Sequence, residues 1–116
     1  MEIQHRLVDD CVVIDIADDY FCHPKTVLLK NQVMHLLKDG HKFMVLNVSD
    51  IKMLDSFGLA TMVSILKSCK ENEGNLTLYG ANDQVNRLLE ITRMDRVLDV
   101  WESEGQAIGM VKENLN

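Results

Sequence analysis

The sequence predicts an α/β fold: a mostly parallel sheet with one antiparallel edge strand and helices packed on it, in the order ββαβαβαβα. Two observations carry this. Residues 11–16 (Cys-Val-Val-Ile-Asp-Ile) and 43–48 (Phe-Met-Val-Leu-Asn-Val) are apolar at nearly every position, the pattern of strands covered on both faces. Helical apolar spacings alternate with such runs along the chain, which favours parallel strands joined by helical crossovers.

The elements follow in order. Residues 3–7 alternate weakly, as an edge strand does, and Asp9-Asp10 turns the chain into the 11–16 strand, so the opening reads as a hairpin. Pro24 suits the first turn of a helix. Val27, Leu29, Val33, Leu36 and Leu37 then recur at helical spacing until Gly40 closes it. After the 43–48 strand, a loop over 49–54 leads to a helix with Leu59, Met62, Val63, Leu66 and Cys69 on one face, ending at Gly74. A strand over 76–79 follows, and Gly80-Ala81-Asn82 turns into a helix with Val85, Leu88 and Leu89 inward. Residues 97–101 read as the last strand. Ser103 with Gln106 forms a capping box for a terminal helix holding Ala107, Val111 and Leu115.

Bulk properties narrow the function. A chain of 116 residues fits one domain over 1–116, large enough to bury a core without disulfide or metal support. Apolar runs are far shorter than the roughly 20 residues a membrane helix needs, so no membrane insertion is expected. The N-terminus carries no secretory pattern, and a cytoplasmic location is expected. A net charge of −6 argues against nucleic acid as the partner, because phosphate contacts need clustered Lys and Arg. A protein partner is expected instead.

Cys11, Cys22 and Cys69 are widely spaced, with neither the even count of a disulfide framework nor the CxxC of a zinc site. His23, His35 and His41 form no H-x-x-x-H pair and no carboxylate set completes a metal site, so no metal and no cofactor are expected. Ser56 is not a hydrolase nucleophile: Asp-Ser-Phe-Gly is not G-x-S-x-G, and no histidine follows residue 41. No catalytic residues are assigned. The Asn47-Val48-Ser49 and Asn75-Leu76-Thr77 sequons abut strands and read as accidental.

Functional groups in open α/β sheets gather at the carboxyl ends of the strands. Here those loops are 17–23, 49–56 and 80–82, and the second is the most distinctive. Asp55-Ser56 stands at a helix start, where plain capping accounts for both residue types. An N-terminal turn also favours negative charge, so the fold would tolerate a phosphate on Ser56. Phe57 is either buried under the helix or a hot spot for a partner, and Gly58 would let a partner backbone approach closely.

The stretch from Val45 to Ala60, a buried strand, a loop with Asp50, an apolar pair and then Asp55-Ser56-Phe57-Gly58-Leu59, resembles the signature of the STAS domain, the family of bacterial anti-sigma factor antagonists. The order of elements along the whole chain is similar to that family as well. The resemblance implies a partner-switching cycle and no enzymatic activity of this chain's own. Ser56 takes the place of the family's phosphoacceptor serine, and Asp19, Asp55, Ser56, Phe57 and Gly58 form the expected partner-binding set. The implied partners are an anti-sigma factor that is also a serine kinase of the histidine-kinase-like ATPase type, bound when Ser56 is unphosphorylated and released afterwards, and a serine phosphatase that resets the cycle. The position after the serine is usually small in these antagonists and is Phe57 here, as in some stressosome scaffolds. The resemblance therefore leaves room for a STAS scaffold or transporter-like subunit that never cycles. A phosphoaspartate receiver is the alternative from outside the family, on length, sheet type and Asp18, Asp19 and Asp55. Against it, Asp55 lies well past the strand end and no lysine ends the last strand.

Overall fold

The computed structural model describes residues 2–113. Its first two strands, β1 (Glu2–Val8) and β2 (Cys11–Ala17), form the expected antiparallel hairpin. Asp9 and Asp10 turn it with φ of 50° and 67°, the left-handed pair that suits a two-residue hairpin loop and that aspartate tolerates better than most residues.

Helix α1 (Lys25–Lys38) crosses to β4 (Phe43–Asn47), α2 (Ser56–Glu71) to β6 (Asn75–Tyr79), and α3 (Asp83–Ile91) to β7 (Asp99–Trp101). The sheet order is β1-β2-β4-β6-β7, parallel except for the first pair. Two further strands, β3 (Tyr20–Phe21) and β5 (Met53–Leu54), pair with each other in a separate parallel ladder.

Alternation along the strands sends one set of side chains to each face. Val12, Ile14, Ile16, Met44, Leu46, Leu76 and Leu78 pack with buried residues of α1, α2 and α3. Cys11, Val13 and Val45 pack instead with Ala107 and Val111 of α4 (Glu104–Val111). The two-sided burial of β2 and β4 explains their unbroken apolar sequence. Between α1 and α2, the Lys30 ammonium donates to Ser64 Oγ and Ser68 Oγ at 2.7 and 2.9 Å.

The capping box at Ser103 is present, with the Ser103 hydroxyl accepting from Gln106 N–H and the Gln106 side chain accepting from Ser103 N–H. Several expectations are corrected. Val27 is 45% exposed, because the buried stripe of α1 runs through Thr26, Leu29, Val33, Leu36 and Leu37 and leaves residue 27 a 100° step outside it. Pro24 is the N-cap of α1 and not its first helical residue. Val63 and Leu66 are half-buried, and Ile65 takes the core position between them. The last strand starts at Asp99, after a 3-10 turn at Met94–Arg96 that uses the residues before it. Leu115 lies outside the described residues.

Candidate functional site

The loops at the carboxyl ends of β2, β4 and β6 are tied into one surface. Lys52 and Met53 donate their N–H groups to the Asp19 carbonyl at 2.7 and 3.1 Å, joining the second loop to the first. Asn82 Nδ2 donates to the Ile51 and Lys52 carbonyls, both at 3.3 Å, joining the third loop to the second. Asn82 is also the N-cap of α3, its side chain accepting from Val85 N–H at 2.8 Å, so one residue starts a helix and holds a neighbouring loop.

Loop 17–23 is braced from within by an ion pair. Lys25 Nζ lies 2.8 Å from Asp18 Oδ1 and also donates to the Tyr20 carbonyl at 3.1 Å. The hydrogen bond from Lys25 holds the Asp18 carboxyl below its usual range. The β3–β5 ladder then places Tyr20 beside Met53 and Phe21 beside Leu54. Phe21 is fully buried and Leu54 nearly so, whereas Tyr20 and Met53 are 46% and 50% exposed. Two-residue strands thus send one side chain each into the core and one each to the surface.

Asp55 and Ser56 divide the work at the start of α2. Asp55 is the N-cap, in extended conformation, and its Oδ1 accepts from Gly58 N–H at 2.8 Å. Ser56 is the first helical residue, exposed, with its hydroxyl outside the cap. Beyond the Asp55 cap the first turn of α2 carries no acidic residue, and the positive end of the helix dipole favours negative charge there. Phe57 is 63% exposed and its ring lies against His23, with centroids 5.9 Å apart. Of the two readings of Phe57, burial is ruled out.

Gly58 is buried, and this corrects its expected place on the contact face. A Cβ at this position would stand 2.7 Å from the Phe21 carbonyl oxygen and 3.2 Å from Leu54 Cβ, so the glycine admits this chain's own β3, not a partner backbone. The outward set is therefore Asp19, Ser56 and Phe57 with half-buried Asp55, joined by Tyr20, Met53 and His23, which sequence reasoning did not single out. A large apolar residue inside an acidic loop, Tyr20 between Asp19 and Phe21, was the one available signal for them.

Behind the sheet, a second polar cluster lies on the α4 face. Arg6 bridges the Asp15 and Glu104 carboxylates, with Nε 3.0 Å from Asp15 Oδ2 and Nη1 3.1 Å from Glu104 Oε2. Tyr79 donates its hydroxyl to Glu104 and Asn47 donates Nδ2 to Asp15, at 2.9 and 2.7 Å. Arg6 holds both carboxyls below their usual range, while burial and the bond to Glu104 push the Tyr79 phenol up to about 12. Every group in the cluster is satisfied by another, which marks it as a brace between β1, the sheet centre and α4.

Such a fold and site define a class: a small α/β domain that displays a serine and an exposed phenylalanine at a helix start. Residues 2–107 match the STAS domain family, and the chain belongs to it. Over 109 residues it is 30% identical to the anti-sigma-B factor antagonist of Listeria monocytogenes, covering 94% of each chain. The crystal structure of TM1081 from Thermotoga maritima superposes with a TM-score of 0.82 at 29% identity, covering 94% of this chain and 93% of that one. The phosphorylated form of Bacillus SpoIIAA shares the fold, with a TM-score of 0.73 at 15% identity and coverage of 96% and 100%. Membership sets the phosphoaspartate receiver aside. No helix among the described residues is long and apolar enough to cross a membrane.

Proposed function

We propose that this chain is a partner-switching anti-sigma factor antagonist without enzymatic activity of its own, working in the cytoplasm. Its face around Ser56 binds an anti-sigma factor that is also a serine kinase of the ATPase type; phosphorylation of Ser56 releases that partner, and a serine phosphatase restores the binding state. The observation that carries the reading is the division between Asp55 and Ser56. Because Asp55 caps the helix, the Ser56 hydroxyl is exposed and can be modified without removing a structural hydrogen bond. SpoIIAA, an anti-sigma factor antagonist of the same fold, has been solved in both phosphorylated and unphosphorylated forms, which supports a phosphorylation switch in this architecture.

The physics of release is local. A phosphate on Ser56 adds roughly −1.5 to −2 charges at a helix N-terminus, where the fold tolerates them. A partner surface fitted to Phe57, Tyr20, Met53 and a neutral hydroxyl must then accept that charge beside Asp55 and Asp19. Like-charge or desolvated contacts in an interface cost several kcal/mol, and each 1.4 kcal/mol is about tenfold in affinity. Titration of the cognate anti-sigma kinase by calorimetry is expected to give tight binding for Ser56→Ala and binding weaker by at least about tenfold for Ser56→Asp. Equal affinities of the two variants would leave Ser56 an ordinary first-turn residue and favour a scaffold subunit that does not cycle.

A further inference from the structure

The groove between α3 and the free edge of the main sheet has no part in the site around Ser56. Among the described residues, β7 ends the sheet order and pairs with β6 on one side only. Its register sets Thr77 opposite Asp99 and Tyr79 opposite Trp101, and Gly80 N–H donates to the Trp101 carbonyl at 3.2 Å. In a parallel ladder this phase turns the backbone of residues 99 and 101 toward β6 and the N–H and C=O of Val100 outward. One residue further along, the Glu102 N–H is already taken by the Gln106 side chain at 3.2 Å. Val100 thus presents an open donor and acceptor pair on the groove side of the edge.

The groove beside it encloses about 840 Å³. Leu89, Leu98 and Val100 supply its apolar part, with Leu89 and Leu98 almost fully buried. Leaving aside Asp99, which has an interaction of its own, its charged lining among the described residues is mostly acidic: Asp83, Glu90 and Asp95 beside the cation Arg87. A second copy of this chain would bring the same acidic edge against itself, which the charge disfavours.

We propose that this groove takes an extended, Lys- or Arg-rich segment of a partner protein by strand addition to β7. The two outward groups of Val100 would fix the peptide backbone, and its cations would face Asp83, Glu90 and Asp95 along α3 and the 3-10 turn. Strand addition draws affinity from main-chain hydrogen bonds and specificity from alternate side chains, which fits an edge with an apolar floor and an acidic wall. The segment docks on a different edge of the molecule from Ser56.

The test titrates isotope-labelled full-length protein with a hexapeptide of alternating lysine and valine, followed by amide spectra and hydrogen exchange. Saturable binding is expected, with shifts centred on residues 98–101 and α3 and with slowed exchange of the Val100 amide. The same peptide N-methylated at alternate residues, with its charge intact but its donors removed, is expected to bind at least tenfold more weakly, and Glu90→Lys to weaken the parent peptide by a similar factor. Absence of saturable binding, shifts spread over other acidic surface, or equal binding of the N-methylated peptide would each overturn the proposal.

Discussion

Gly58 is the position where a single atom matters most at the site. Its hydrogen faces the Phe21 carbonyl at a distance that a methyl group cannot occupy without movement of β3 or of the first turn of α2. Gly58→Ala is therefore expected to destabilise the fold by about 1–3 kcal/mol, the usual range for overpacking a filled core. Urea unfolding measures this directly. An unchanged midpoint would mean that β3 can shift freely. The same substitution separates stability from recognition at the residue scale, since Phe57 and Ser56 next to it point outward and make no demand on this contact.

At the scale of elements, the strand β1 is fastened through Arg6 to both β2 and α4. The carboxyls of Asp15 and Glu104, ordinarily at 3.8 and 4.5, are lowered in the folded chain by their bonds to Arg6. Groups of this sign stabilise the fold fully above those ordinary values and lose that contribution as pH falls through the lowered folded values. Stability should thus fall between neutral pH and about pH 3. The fall should be smaller in Arg6→Gln, measured by urea midpoints at the two pH values, and an equal fall in both proteins would show that the bridge contributes nothing.

The elements were legible to different degrees. The strands of the main sheet and the four helices could be read because buried strands carry unbroken apolar runs and helices repeat at 3.6 residues. β3 and β5 could not, since two residues are too few to display any period. At the candidate site, Asp55-Ser56 was visible as a pair, but which of them caps the helix depends on a backbone angle. Met53 and His23 come to this face only through tertiary pairing, so beyond the large Tyr20 in its acidic loop no local pattern marks them.

Across the whole molecule, the surface around Ser56 rests on a sheet and three helices whose packing does not involve the serine hydroxyl. Ser56→Asp should leave the fold intact and confine its amide shifts to residues 17–23, 49–60 and 80–85, the loops joined through Asp19 and Asn82. A comparison of amide spectra checks this. Shifts reaching α4 or β1 would instead reveal a global rearrangement.

The hydrogen bonds from Lys52 and Met53 to the Asp19 carbonyl, with the small β3–β5 ladder, carry a kinetic consequence. Tyr20 and Met53 stand in place before any partner arrives, so little chain entropy is spent at the moment of contact. Encounter then proceeds at the pace set by diffusion and charge, and affinity differences between related complexes fall mostly on the rate of separation. On the proposed function, a phosphate on Ser56 would act as a clock on the complex, shortening its lifetime more than it slows its formation.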